Sequence, residues 1–299
     1  MTHLVLADAR ARASSVPTFR DCPWDEPVDA RRGVDATVAG ETVRRYRLHG
    51  FAVVQLPAGS PDGVLGEMAQ ALDLDDPFVP PLYRRSGTTV SPVSRISAGL
   101  NARTDDADHP SFGRTSGQRL HTDGTLQAIG EIRTTLLLCQ AQGISGGETI
   151  LLNSTGAFLR LVDEDPEAAA ALATPGVLVR QANINGCTDE NRLPAFAVVD
   201  DEVLTAYSRT GTDRWETPDG VDAAALRRGT QYLEACEADP DLYRELVLAP
   251  DQLFVLSNAT LSHGRRAYVD SPSRKRCMLR TLHTRTPSVA PSMSTAGVR

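Results

Sequence analysis

Apolar and polar positions divide the first part of the chain into short alternating elements. Residues 41–49 have a helical pattern that ends at Gly50, and the apolar run 51–55 that follows predicts a strand. Ser60 can cap a second helix with Pro61 at its first position and an apolar stripe behind it. This part of the chain is therefore predicted to run helix, strand, helix.

Strand patterns dominate the second half of the chain. The predicted strands cover residues 134–141, 149–153, 176–181, 195–199, 203–208, 246–248, 253–257 and 277–284. Helical patterns at 158–173 and 222–238 interrupt them, and within the first of these Asp165 can cap a helix that Pro166 opens. Many short strands separated by turn residues are typical of a sandwich or barrel, so we predict a mainly β fold with flanking helices.

The stretch 75–117 differs from the rest of the chain. It has weak periodicity and five prolines, with one strand-like patch near 88–96. Because long irregular stretches inside compact proteins often form active-site lids, we interpret this segment as a lid insertion.

The domain organisation is predicted to be simple. No internal repeat and no long linker divides the chain, which indicates a single domain over residues 1–299 with its core at about 50–285. Residues 1–35 lack a sustained period and residues 286–299 are rich in Ser, Thr and Pro. Both ends are therefore predicted to be flexible and to lie loosely on the surface.

Composition narrows the classes of partner. The 299 residues include 31 Lys and Arg against 38 Asp and Glu, a net charge of −7, which argues against a nucleic-acid partner. No apolar run approaches the roughly 18 to 20 residues of a membrane span, and the N-terminus lacks the apolar segment of a signal peptide. The five cysteines are scattered without a Cys-x-x-Cys pair. We predict a cytoplasmic protein with reduced thiols, no nucleic-acid partner and no membrane partner.

Two histidines and one carboxylate have the spacing of a metal site. His121 and Asp123 lie two residues apart, which on a strand directs both side chains to the same face. His263 follows an apolar strand far downstream. Two histidines and one carboxylate form the facial triad of non-haem Fe(II) oxygenases, which leaves coordination positions open. A His-x-Asp pair alone is equally compatible with a surface histidine beside a solvated aspartate.

Two further segments supply groups that can bind an anion. Arg276 and Arg280 lie four residues apart on a predicted strand, and the guanidinium fork of arginine can grip a carboxylate through two hydrogen bonds. The turn Gly146-Gly147-Glu148 precedes Thr149, whose hydroxyl lies at a strand start. Taken alone, each segment is also compatible with a structural role, because 30 of the 31 basic residues are arginine and glycine turns are common.

Together these segments resemble the taurine dioxygenase (TauD/TfdA-like) family of Fe(II)- and 2-oxoglutarate-dependent oxygenases, which includes clavaminate-synthase-like amino acid hydroxylases. The resemblance is carried by residues 121–123, 146–149, 258–265 and 276–280, in the family's order over about 118–285. It implies a double-stranded β-helix (jelly-roll) core with Fe(II) as cofactor and 2-oxoglutarate as co-substrate. The helix and strand that lead into residues 50–56 are also similar to the family's entry segment.

The resemblance also implies roles for individual residues. Three residues would be the iron ligands: His121, Asp123 and His263. Arg276 would bind the distal carboxylate of 2-oxoglutarate with help from Thr149, and Arg280 matches a position that often faces an acidic group of the primary substrate. Because family members differ by a residue or two in the preceding loop, Arg274 is a rival for the role given to Arg276.

The implied reaction is the oxidation, most often hydroxylation, of a C–H bond of a small polar substrate by dioxygen. We expect an amino acid or a related natural-product intermediate as substrate, with desaturation or cyclisation as alternative outcomes. Three other classes compete with this interpretation: a non-catalytic metal-binding β-barrel protein, a metal-dependent hydrolase and a cupin-type dioxygenase. The hydrolase lacks support because the chain has no His-Glu-x-x-His motif. The cupin would need a further histidine at a suitable spacing.

Overall fold

The computed structural model describes residues 16–60, 63–84, 91–98, 113–182 and 187–291. Within these ranges the strands, numbered in chain order, are β1 (Val28–Asp29), β2 (Phe51–Gln55), β3 (Ser94–Ile96), β4 (Gln118–His121), β5 (Thr134–Ala141), β6 (Ser145–Gly146), β7 (Thr149–Leu152), β8 (Leu178–Gln181), β9 (Glu190–Leu193), β10 (Phe196–Val199), β11 (Glu202–Thr205), β12 (Asp213–Trp215), β13 (Tyr243–Leu246), β14 (Gln252–Ser257), β15 (Ser262–Arg265), β16 (Tyr268–Val269) and β17 (Cys277–His283). The α-helices are α1 (Ala36–His49), α2 (Val64–Ala71), α3 (Pro81–Arg84), α4 (Ser154–Glu164), α5 (Pro166–Leu172) and α6 (Ala223–Ala235).

Two antiparallel sheets form the centre of the fold. The larger sheet has the strand order β1-β2-β14-β5-β17-β3, with β1 pairing parallel to β2 at its edge. The smaller sheet has the order β13-β7-β15-β4. Three short sheets accompany them: β12-β8-β9, β10-β11 and β16-β6. Neighbouring strands in both main sheets are far apart in the sequence, so the ends of distant segments meet in space.

The core lies in three layers. Between the two sheets, Phe51, Phe254 and Leu256 of the larger sheet pack with Leu151 of the smaller one. A second cluster fills the space between the larger sheet and helices α1 and α2, and a third lies between the smaller sheet and helices α4, α5 and α6. The predicted mainly β fold with flanking helices is confirmed. None of the helices in the described ranges is long and apolar enough to span a membrane.

Local chemistry explains where several elements begin and end. The side chain of Asp35 accepts a hydrogen bond from the Val38 N–H and caps α1, while Gly50 ends the helix in the left-handed region at φ 76°. A Cβ at Gly50 would lie 2.9 Å from Leu261, so the turn into β2 also requires glycine for space. Asp165 caps α5 with Pro166 at its first position, as predicted.

Residues 16–35, predicted to lie loosely on the surface, are packed instead. Phe19 is 1% exposed and contacts Trp24 edge-on, with 5.1 Å between ring centroids. Strand β1 extends the larger sheet by pairing with β2. Burial of Phe19 and partial burial of Trp24 outweigh the polar composition of this segment, since an aromatic ring removes a large apolar area from water.

The tail and the predicted lid are also partly attached to the core. Ala290 is 5% exposed, and its N–H donates to the Ala71 carbonyl over 3.2 Å, which corrects the expected looseness of residues 286–291. Within the predicted insertion, the Phe78 N–H donates to the Leu282 carbonyl and β3 forms the edge of the larger sheet. Residues 85–90, 99–112 and 292–299 lie outside the described ranges.

Candidate active site

Strands β4 and β15 bring two histidines together. In the smaller sheet His121 and His263 are directly opposite each other, and their ring centroids are 4.5 Å apart. Side chains of a directly opposed pair lie on one face of a sheet. The pairing register shifts between His263 and Arg265, so β15 is irregular immediately after the histidine. Two residues from distant parts of the sequence thus face one another across the sheet.

Asp123 completes the cluster just beyond the end of β4. Its backbone N–H donates to Asn258 Oδ1 at 2.7 Å, and Asn258 Nδ2 donates back to the Asp123 carbonyl at 3.2 Å. Thr135 Oγ1 donates to Oδ2 of the carboxylate at 2.8 Å, while Arg280 Nη1 donates to Oδ1 at 2.5 Å. Each oxygen of the Asp123 carboxylate therefore accepts a hydrogen bond, and the two bonds fix the orientation of the carboxylate.

The ligand atoms of His121, Asp123 and His263 suit one metal ion. One possible ligand atom from each residue lies within 4.8 Å of the other two. His121 Nδ1 is 2.9 Å from the Arg119 carbonyl, which fixes the ring, and Nε2 is then the nitrogen available to a metal, at 3.2 Å from Gln118 Nε2. His263 Nε2 lies 3.6 Å from Asp123 Oδ2. Two imidazole nitrogens and one carboxylate fit Fe(II) as a facial triad.

The electrostatics of the cluster favour metal binding. Burial lowers the pKa of His121, and burial together with the neighbouring His121 lowers the pKa of His263 to about 3. Burial raises the pKa of Asp123, but the guanidinium of Arg280 and the two imidazoles outweigh this effect and hold the pKa below its usual range. The neutral imidazoles and the ionised carboxylate are the protonation states that bind divalent metals.

Arg276 and Thr149 belong to a second cluster of buried residues, together with Arg265 and Tyr268. Arg276 directly precedes β17, is 6% exposed and has its guanidinium carbon 5.3 Å from the centre of the Tyr268 ring. Arg265 lies against the same ring at 4.7 Å. Thr149 opens β7, is 4% exposed and pairs directly with Arg265, which places their side chains on one face. Arg274, the rival of Arg276, is exposed.

A cavity opens beside the histidine and carboxylate cluster. Residues 121–127 line one part of it, and the rest of the lining comes from Pro80, Leu82, Gln118, Arg180, Thr210 and Arg280. Arg280 thus contacts Asp123 and also faces the cavity. A ligand in this cavity would lie close to a metal ion bound by the cluster.

Sequence reasoning missed several residues that shape this site. Thr135 and Asn258 hold Asp123, and Arg180 contacts Thr122, which lies between the candidate ligands His121 and Asp123. Asn258 belongs to a segment that carries the family resemblance, but no role was inferred for it. Arg180 could have been recognised from the sequence, because it is the one charged residue in the otherwise apolar run 177–180. A charge inside a buried strand requires a partner.

Gly147 provides a test of the Arg276 environment. Its φ is +83°, and a Cβ there would lie 3.1 Å from Arg276 Nε. If Arg276 binds 2-oxoglutarate, as the family resemblance implies, Gly147→Ala should raise the 2-oxoglutarate concentration needed for half-maximal turnover, because the methyl group displaces the guanidinium. Gly59→Ala is the matched control, since Gly59 has φ +70° but nothing within 4 Å of a Cβ. Equal effects of the two variants on the 2-oxoglutarate requirement would contradict this expectation.

Comparisons with known proteins agree on one family. The family model described as taurine catabolism dioxygenase TauD, TfdA family matches residues 28–282. A uridine-5'-phosphate dioxygenase from an Amycolatopsis species is 37% identical over 274 residues, which cover 90% of this chain and 96% of that protein. A uridine-5'-phosphate dioxygenase from a Streptomyces species is 37% identical over 83% of this chain and 90% of its own length.

Solved structures match the fold. An asparagine oxygenase in complex with Fe(II), hydroxyasparagine and succinate has a TM-score of 0.61 and 18% identity, over 94% of this chain and 90% of that one. A taurine dioxygenase from Burkholderia xenovorans has a TM-score of 0.58 and 15% identity, over 89% and 88% of the two chains. These likenesses confirm the predicted jelly-roll architecture.

Proposed function

The chain belongs to the TauD/TfdA family of Fe(II)- and 2-oxoglutarate-dependent oxygenases, and on that premise we propose that it oxidises a nucleoside 5'-monophosphate such as uridine-5'-phosphate. The observation that carries the proposal is the buried cluster of two imidazoles and one carboxylate beside a cavity with two arginines in its lining. As a member of this family the protein is a dioxygenase and therefore an oxidoreductase.

In this proposal His121, Asp123 and His263 would hold Fe(II). The iron, with 2-oxoglutarate as co-substrate, supplies the activation of dioxygen that oxidises an unactivated C–H bond. The protein holds the three ligands and leaves the remaining coordination positions open. Thr135 and Arg280 keep the carboxylate of Asp123 in one orientation.

Arg276 and Thr149 are assigned to the distal carboxylate of 2-oxoglutarate. Arg265 and Arg276 lie on the same Tyr268 ring, so two buried cations are close together. Burial and the charge of Arg276 lower the pKa of Arg265 to about 10. A carboxylate bound between these residues would offset the repulsion. Arg274 is exposed, which favours Arg276 for this role.

The substrate class rests on the relatives and on the charge of the cavity. Both uridine-5'-phosphate dioxygenases match across most of the chain at 37% identity, and a phosphate would suit a cavity whose lining includes Arg180 and Arg280. We assign the contact with this anionic group to Arg280. The sequence alone led to the prediction of an amino acid instead, and that class is the alternative substrate.

Succinate release with a panel of substrates tests the proposal. Uridine-5'-phosphate should stimulate succinate release and be consumed, as followed by mass spectrometry. Uridine should act only at much higher concentrations, because loss of a charge-assisted pair with Arg280 costs about 2 to 5 kcal/mol. Turnover with an amino acid but not with the nucleotide would reject the substrate class and retain the chemistry. Absence of any 2-oxoglutarate binding would reject the assigned chemistry.

A further inference from the structure

Arg180 is a buried cation that the proposed reaction does not use as a metal or co-substrate ligand. It lies on β8, is 2% exposed, and follows the apolar residues Leu178 and Val179. Burial lowers its pKa, while the charges of Asp213 and Asp123 act in the opposite direction. A guanidinium removed from water in this way is stable only with hydrogen-bond partners and a compensating charge.

The partners of Arg180 lie between two of the proposed metal ligands. Nη1 donates to Thr122 Oγ1 at 3.0 Å, and Nη2 donates to the Thr122 carbonyl at 2.7 Å. Thr122 is the residue between His121 and Asp123. One guanidinium therefore holds both the side chain and the backbone of this residue, which a single ammonium group cannot do in the same geometry.

The peptide group that joins Thr122 to Asp123 is held at both ends. Its carbonyl oxygen accepts from Arg180, and its N–H donates to Asn258 Oδ1 at 2.7 Å. Both side chains that hold it are at most 3% exposed. Rotation of this peptide plane would move the Asp123 carboxylate relative to the His121 ring. The two hydrogen bonds oppose that rotation from opposite sides.

Asp213 anchors Arg180 from the far side. Its Oδ1 lies 3.8 Å from Arg180 Nε, and the two side chains are 2% and 3% exposed. The other carboxylate oxygen accepts from the N–H of Thr210 at 2.8 Å and from its Oγ1 at 2.7 Å. Asp213 therefore supplies the compensating charge from a position that is itself fixed.

We propose that Arg180 is a positioning residue of the metal site, which fixes the relative placement of His121 and Asp123 through Thr122. This inference rests on the ligand assignment in the proposed function. It predicts that disturbing the Arg180–Thr122 contact weakens metal binding while the three ligands remain in the chain. Outer contacts of this kind typically change metal affinity by about 10- to 100-fold when they are removed.

Mn(II) binding to metal-free protein, followed by electron paramagnetic resonance, tests the inference without turnover. Arg180→Lys retains a positive charge but not the fork, so Mn(II) affinity should fall by about 10- to 100-fold. Thr122→Val should also weaken binding, whereas Thr122→Ser retains the hydroxyl and should restore wild-type affinity. Arg192→Lys is the matched control: Arg192 is opposite Val179 on the neighbouring strand β9, and its side chain is 52% exposed.

Two further measurements separate the possible results. Circular dichroism and the unfolding temperature of the metal-free proteins show whether each variant folds, and Mn(II) binding is measured well below that temperature. Wild-type affinity in folded Arg180→Lys, or equal losses in Thr122→Ser and Thr122→Val, would overturn the positioning role. Undiminished Mn(II) binding by His263→Ala would instead overturn the ligand assignment on which the inference rests.

Discussion

His263→Ala is expected to abolish both Fe(II) binding and 2-oxoglutarate turnover. The imidazole is one of three groups that converge within 4.8 Å, and its lowered pKa keeps it available as a neutral ligand. Two remaining ligands hold a divalent ion far less tightly than three. Succinate release should fall to the level measured without enzyme, and Fe(II) titration should show no saturable site.

His263 is a better test position than Asp123. Asp123→Ala would leave the buried Arg280 without its carboxylate partner, and breaking a buried ion pair typically costs about 3 to 5 kcal/mol of stability. Loss of activity could then reflect unfolding. His49→Gln is a suitable control, because His49 is also buried but contacts the Thr18 carbonyl outside the cluster. Full turnover by His263→Ala would reject the ligand set.

Arg276→Ala is expected to raise the 2-oxoglutarate requirement steeply. The guanidinium is buried, so its removal would take away one charge-assisted partner of the distal carboxylate of the co-substrate. Such a loss costs about 2 to 5 kcal/mol, or roughly 30-fold to several thousand-fold in concentration. Arg276→Lys should be intermediate, since an ammonium group keeps the charge but not the two-point contact. Succinate release at varied 2-oxoglutarate measures the change.

Arg274→Ala provides the control for Arg276. Arg274 lies two residues earlier, is exposed, and has its backbone N–H bound to Ser271 in a surface turn. Its replacement should leave the 2-oxoglutarate requirement unchanged. If Arg274→Ala raises the requirement and Arg276→Ala does not, the assignment of the co-substrate arginine is wrong.

The apolar strands of the larger sheet were the most predictable part of the fold. The bounds predicted for β2 and β5 agree with those in the structure. Both strands are largely buried on both faces, so continuous apolar runs mark them. The end of α1 was also predictable, because Gly50 adopts the left-handed conformation that glycine favours.

The strands that carry the histidines were not predictable from local pattern. The sequences of β4 and β15 are Gln-Arg-Leu-His and Ser-His-Gly-Arg, and neither has the apolar content of a typical buried strand. They are strands because β15 pairs with β4 on one side and β7 on the other. Such pairing depends on residues far away in the sequence.

The hydrogen bonds that hold the candidate ligands could not be predicted from the local sequence either. Arg180 and Asn258 meet the peptide group after Thr122 across separations of 58 and 135 residues. The spacing of residues along the chain does not reveal contacts over such long sequence separations. The candidate ligands could be proposed because His121 and Asp123 are close enough in sequence to share a face, and His263 after a distant apolar strand supplied the second histidine of a facial triad. The family resemblance then implied that these three residues bind iron.

His121, Asp123 and His263 are proposed to hold the Fe(II) ion, with 2-oxoglutarate bound beside them. Anaerobic addition of Fe(II) and 2-oxoglutarate to the metal-free protein, followed by visible absorption, tests this assignment most directly. A weak charge-transfer band is expected in the wild-type protein, and it should be lost in His263→Ala. A folded wild-type protein without the band, or a band of unchanged strength in His263→Ala, would contradict the assignment.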